Sequence, residues 1–96
     1  MSSIERRSQV FKALSDPLRL AILDQLAGGP RCVCDIRDEL DIAGNLLSHH
    51  LKVLREAGLV SSERDGRWVV YALDETGLEL ARDALLPRPR RALARA

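Results

Sequence analysis

The stretch Leu47-Ser48-His49-His50-Leu51-Lys52-Val53-Leu54-Arg55-Glu56-Ala57-Gly58-Leu59-Val60 decides the fold. Leu47, Leu51 and Leu54 recur at helical spacing while Ser48, His49, Lys52 and Arg55 fall largely off that face. The segment from about Asn45 to Ala57 therefore reads as an amphipathic helix with a polar, basic outer side. Gly58-Leu59 closes it as a Schellman-type cap, an apolar residue following the glycine. Upstream, Val33, Ile36 and Leu40 at i, i+3 and i+7 predict a short helix, and Asp41-Ile42-Ala43-Gly44 a tight connector. Two short helices joined by a Gly-containing turn, the second with a basic outer face, make a helix-turn-helix. Downstream, Leu59-Val60-Ser61-Ser62-Glu63 and Arg67-Trp68-Val69-Val70-Tyr71-Ala72-Leu73 are strand-like, with Asp65-Gly66 between them as the hairpin-turn signal. That hairpin is a wing.

The flanks complete the domain. Val10, Phe11 and Leu14 predict a first helix from about Ile4 to Leu14. Asp16 as N-cap and Pro17 at the first helical position start a second. Leu18, Ile22, Leu23 and Leu26 form its core face, and Gly28-Gly29-Pro30 ends it near Ala27. A last helix from about Glu75 to Leu86 aligns Leu78, Ala81 and Leu85 before Pro87-Arg88-Pro89 breaks it. The expected fold is a mainly α winged helix-turn-helix in the order α-α-α-α-β-β-α. Residues 1–87 form one domain, and 88–96 a basic flexible tail. A chain of 96 residues buries little core alone, so a second copy is expected to cover more.

Composition narrows the function. At 46% hydrophobic and 30% charged residues the chain reads as a soluble globular protein. With no signal-peptide pattern and no apolar run near the ~20 residues of a membrane span, it is expected in the cytoplasm without membrane contact. The net charge of +1 supplies no global attraction for DNA, so binding must come from local clusters of Lys and Arg. Only 3% of residues are aromatic, which argues against base-stacking platforms. No nucleophile with a spaced base, glycine-rich phosphate loop or paired-carboxylate motif occurs, so an enzyme is not expected. The rival class is a winged-helix module for protein–protein association, against which the basic residues of both recognition helix and wing argue.

A recognition helix reads base edges with its N-terminal residues, here Asn45, Leu46, Ser48 and His49. Asn45 suits adenine, and an outward Leu46 suits a thymine methyl or packs on the preceding turn. Lys52 and Arg55 would hold phosphates, and Arg64 and Arg67 of the wing would do the same or enter the minor groove. Neighbouring His49 and His50 diverge by ~100° on a helix and cannot chelate one ion, so His50 reads as structural. Arg88, Arg90, Arg91 and Arg95 of the tail read as a solubilising end rather than a phosphate clamp.

Cys32 and Cys34 are too few for a disulfide scaffold and read first as a soft-ion or redox site. At a helix N-terminus the dipole favours thiolate, the form that binds As(III), Cd(II) or Hg(II). Arg37, on the same face as Cys34, adds to this and repels cations more than a neutral As(III) species. Residues i and i+2 point ~200° apart on a regular helix, so joint binding is expected to distort the first turn. The alternatives are a strained disulfide formed by oxidation, or Cys34 packing as a small buried hydrophobe. Asp35 is explained by the helix dipole, though it is able to ligate a harder ion.

At Cys32-Val33-Cys34-Asp35-Ile36, Leu47 to Val60 and Asp65-Gly66-Arg67-Trp68-Val69-Val70-Tyr71, the chain resembles the ArsR/SmtB family of metal-sensing repressors over about residues 5 to 86. The resemblance implies a homodimer bound to a palindromic double-stranded DNA operator and released by an inducer at Cys32 and Cys34. Cys-Val-Cys-Asp is similar to the arsenic- and cadmium-responsive branches, which makes As(III) the first inducer and Sb(III), Cd(II), Pb(II) or Hg(II) alternatives. No resident cofactor is implied. Family dimers form through the first and last helices, implicating Val10, Phe11, Leu14, Leu78, Ala81 and Leu85. Arsenic-responsive members often carry a third cysteine where this chain has Arg37, leaving water, hydroxide or a small cellular thiol as third ligand. The only cysteines are Cys32 and Cys34, so the N-terminal cysteines of the cadmium- and lead-responsive pattern are absent. Asp74-Glu75-Thr76-Gly77 lacks the histidine of the zinc and nickel pattern.

Overall fold

The computed structural model describes residues 2–89. Helix starts follow the capping residues. The Glu5 N–H donates to Ser2 Oγ at 3.1 Å and the Ser2 N–H to Glu5 Oε1 at 3.3 Å, a capping box that opens α1 (Ser3–Leu14). The N–H groups of Leu18 and Arg19 donate to Asp16 Oδ1 at 2.8 and 3.3 Å, opening α2 (Pro17–Leu26). The remaining helices are α3 (Val33–Leu40), α4 (Gly44–Glu56) and α5 (Glu75–Leu85), the last capped by Asp74 Oδ1 on the Gly77 N–H at 2.9 Å.

Three strands, β1 (Arg31–Cys32), β2 (Val60–Asp65) and β3 (Trp68–Leu73), form an antiparallel sheet in the order β1-β3-β2. The element order is thus α-α-β-α-α-β-β-α. The extra strand corrects the expected order: Arg31 pairs with Tyr71 and Cys32 with Val70, closing the wing's inner edge with the segment that carries the cysteines. A two-residue strand has too little alternation to be read from sequence.

Two turns also differ from expectation. Asp41, with φ 49° and ψ 53°, takes the left-handed position between α3 and α4, while Gly44 is already helical. In the wing, Asp65 pairs with Trp68, leaving Gly66-Arg67 as the two-residue loop. Gly66 has φ 63° and Arg67 is not in the positive-φ region, the pattern of a turn with glycine at its first central position. The α4 C-terminus matches its expected cap. Gly58 has φ 80°, and the N–H groups of Leu59 and Gly58 donate to the carbonyls of Leu54 and Arg55, each at 3.0 Å.

The core is built where α2, α3 and α4 meet the sheet: Ile22, Leu26, Ile36, Leu47, Leu51, Leu54, Leu59 and Val60 are fully buried. Helix α1 adds Val10 and Ala13. Helix α5 has no fully buried residue and packs along α1 through half-buried Leu78, Ala81 and Leu85. Its first turn sits so close to the α4 cap that a Cβ at Gly77 would overlap the Gly58 carbonyl oxygen. No described helix is long and apolar enough to cross a membrane.

Candidate functional site

Cys32 ends β1 and is the N-cap of α3, with extended φ −74° and ψ 153°, whereas Cys34 lies within the first helical turn. This placement corrects the expectation of two divergent helical cysteines whose joint use distorts the turn. The change of backbone direction at the strand–helix junction brings the sulfurs together without unwinding the helix. They are joined in a disulfide with Cα atoms 5.4 Å apart, and both residues are half-buried. Ligand atoms of Cys32, Cys34 and exposed Asp35 lie within 4.8 Å of one another. Two soft sulfurs and one hard oxygen suit a thiophilic ion, provided the disulfide is reduced, because thiolate is the metal-binding form. No side chain caps α3; Asp35 in its first turn and, once reduced, the two sulfurs lie at the positive end of its dipole.

The cysteine segment has two lines of contact with the rest of the domain. Its backbone pairs with β3, and Ile36, one turn on, is 0% exposed in the same core cluster as Leu47 and Leu51. Wing and recognition helix both rest on it.

On α4, Asn45, Leu46, Ser48, His49, Lys52 and Arg55 are all exposed, and Leu47, His50, Leu51 and Leu54 form the buried face. Arg64 on β2 and Arg67 in the wing loop are exposed as well. Lys52, Arg55 and Arg67 line one cleft together with Ser48 of the α4 N-terminal half. Arg55 Nη1 donates to Tyr71 Oη at 3.3 Å, which ties the recognition helix to the wing.

His50 is 5% exposed and structural. Its Nδ1 lies 3.1 Å from Arg19 Nη1, and since guanidinium only donates, Nδ1 accepts and the imidazole is neutral with its proton on Nε2. Arg19 also donates to the carbonyls of Ala13 and Lys12 at 2.8 and 3.1 Å, so one side chain fastens the end of α1 to α4. Burial holds the His50 pKa below its ordinary value; nearby Asp16 opposes this, while Arg19 and His49 add to it. The Asp16 carboxyl is also held low: partial burial pushes it up, but the hydrogen bonds from the Arg19 and Leu18 amides and the positive charge of Arg19 outweigh that. Sequence gives no hint of this contact, which joins residues 31 positions apart.

Of the residues assigned to a dimer interface, Val10 is 6% exposed and already in the core of the single chain, and Leu14, Leu78, Ala81 and Leu85 are half-buried. Phe11 is exposed at 45%, with Ile4 on the same helix and Leu80 on α5. In the tail, Arg88 Nη2 sits 3.4 Å from Asp83 Oδ1 on the surface; Arg90, Arg91 and Arg95 lie outside the described residues.

The family described as bacterial regulatory protein, arsR family, matches residues 16–62. The uncharacterized HTH-type transcriptional regulator MJ1325 of Methanocaldococcus jannaschii is 44% identical over 72 residues, spanning 74% of this chain and 81% of its own. The transcriptional repressor SdpR of Bacillus subtilis is 42% identical over 72 residues, spanning 75% and 80%. The arsenical resistance operon repressor of Bacillus subtilis is 38% identical over 73 residues, spanning 75% and 70%. Among solved structures, the homodimeric winged helix-turn-helix DNA-binding domain Mb0332 of Mycobacterium bovis, a possible ArsR-family transcriptional regulator, superposes with a TM-score of 0.74. It is 33% identical and covers 84% of this chain and 73% of that one. With its fold, recognition helix and wing in agreement with these relatives, the chain belongs to the ArsR/SmtB family of winged helix-turn-helix transcriptional repressors and is not an enzyme.

Proposed function

We propose that this repressor binds a palindromic double-stranded operator as a homodimer and is released when reduced Cys32 and Cys34 capture a thiophilic ion, As(III) in the first instance. The observation that carries the reading is the convergence of both sulfurs and Asp35 within 4.8 Å at the junction of β1 and α3. The likeness to an arsenical resistance operon repressor supports the choice of ion. Capture needs no redox step: As(OH)₃ and two thiols give two As–S bonds and two waters. An ion held by both reduced thiols ties Cys32 at the end of β1 to Cys34 in α3, so that the ion-bound and ion-free arrangements differ at the β1–β3 pairing and at the seating of α3 on the core. That differential between two arrangements is what any ligand switch requires. Sb(III), Cd(II), Pb(II) and Hg(II) are alternatives, the cations disfavoured by Arg37 on the Cys34 side.

In the DNA-bound form, Asn45, Leu46, Ser48 and His49 meet base edges, and Lys52, Arg55, Arg64 and Arg67 hold phosphates. The dimer forms along α1 and α5, where Phe11 and Leu80 leave apolar surface uncovered. The domain proper ends near residue 87.

The test is fluorescence anisotropy of reduced protein on labelled DNA from its own upstream region, titrated with As(III) and separately with Cd(II). Release by As(III) that Cys32→Ser and Cys34→Ser each abolish is expected; binding indifferent to every soft ion overturns the inducer assignment. The disulfide favours a second reading, in which oxidation itself is the signal: two thiols and one peroxide give the disulfide and two waters. Release by peroxide, without any metal, would identify that route.

A further inference from the structure

Beside Cys34 lies a cleft of about 540 Å³ between α3, α4 and the wing. Arg37, Lys52, Arg55 and Arg67 line it, no carboxylate does, and among the described residues none of the four is ion-paired. Half-exposed Trp68 forms part of its wall. Arg37 extends across the start of α4, its Nη1 3.6 Å from where a Cβ of Gly44 would stand. Arg55 is held by Tyr71. Four unpaired cations around a partly apolar hollow with a sulfur at one side make a receptor for a small organic anion rather than for a bare cation.

We propose that this cleft takes a low-molecular-weight thiol bearing carboxylates, whose sulfur completes the coordination of As(III) at Cys32 and Cys34. The inference rests on the thiophilic-ion reading above and names its missing third ligand. As(OH)₃, the two reduced cysteines and the thiol give three As–S bonds and three waters, with no change of oxidation state. The thiol's carboxylates pair with the cleft cations, among them Arg37 on the same helix as Cys34. Lys52, Arg55 and Arg67 are also the proposed phosphate contacts, so the bound anion and the operator compete for the same side chains. Coordination and charge competition then act in one direction, toward release.

The test uses full-length protein reduced with an uncharged phosphine and bound to labelled operator, titrated with As(III) alone, with glutathione as the carboxylate-bearing probe, or with neutral 2-mercaptoethanol. Glutathione is expected to lower the As(III) concentration for half-release by about tenfold relative to 2-mercaptoethanol, as two charge-assisted contacts suggest. Arg37→Met, an exposed change outside the proposed DNA contacts, should abolish that advantage while release by As(III) alone persists; Arg37→Lys should keep part of it. Native mass spectrometry should show a protein–arsenic–glutathione species only with glutathione present. Equal release with all three additions overturns the cleft assignment and leaves the dithiol reading standing. No release under any addition overturns both.

Discussion

Replacing Gly77 by alanine sets helix propensity against packing, and the two give opposite signs. In a helix, alanine is favoured over glycine by about 1 kcal/mol. Here the added Cβ overlaps the Gly58 carbonyl oxygen, a backbone atom fixed by the α4 cap that cannot swing aside as a long side chain would. Overpacking of this kind costs about 1–3 kcal/mol, and a rigid neighbour puts it at the upper end. The expected net effect is a loss of about 2 kcal/mol, as α5 lifts from the cap. Gly28→Ala is the control: its Cβ would stand 3.7 Å from the Gln25 carbonyl oxygen, an ordinary contact, so stability should hold or rise by up to about 1 kcal/mol. Urea unfolding followed by circular dichroism at one protomer concentration reads both, with the Gly77→Ala midpoint lower by roughly 1 M at unchanged slope. A Gly77→Ala protein as stable as its parent would refute the close approach of α5 to the cap.

Lys52→Gln should weaken binding to operator and unrelated DNA alike and reduce the slope of log affinity against log salt by roughly 1; an unchanged slope removes Lys52 from the phosphate contacts. Leu54, 0% exposed in the last turn of α4, should cost about 2–5 kcal/mol on truncation to alanine, read by the same urea titration. Because the folded chain holds His50 below its ordinary pKa, the unfolded chain binds that proton more readily. Stability is therefore full above about pH 6.5 and falls as the pH drops below it. Asp16, also held low, adds its share only near and below the ordinary carboxyl range. The urea midpoint should be lower at about pH 5.5 than at about pH 7.5, and His50→Gln should flatten that difference.

The sequence carries the helices and the wing because each has a periodic apolar face and a recognisable end. Asp16-Pro17 and Gly58-Leu59 give the caps of α2 and α4, as the structure has them. What escaped reading depends on partners far along the chain. β1 is a strand only because β3 lies beside it, and that alone places Cys32 off the helix. Asp41 takes the left-handed turn because Gly44 is drawn into the helix it precedes. The Asp65-Gly66 signal located the hairpin, but cross-strand pairing of Asp65 with Trp68 moved the loop by one residue. A glycine inside the last helix was the available sign of a close backbone approach at Gly77, since its helix propensity is poor. The Arg19–His50 contact and the closeness of Asp35 to both sulfurs come from spatial convergence, which periodicity does not encode.

The pairing of Arg31 and Cys32 with Tyr71 and Val70 has a consequence for when the proposed ion site comes into being. During synthesis the two thiols emerge some 40 residues before the strand that positions them. At ~5–20 residues per second, that is a delay of about 2–8 s. Over that interval the cysteines are held by no strand, and on the proposed reading an ion captured then has no β1–β3 pairing to act on. On the same reading, a short peptide carrying Cys-Val-Cys-Asp would capture the ion and report nothing, and a transplanted site needs the hairpin carried along with the motif. In the proposed switch, detection belongs to the motif, but the message is written only once the wing has closed over it.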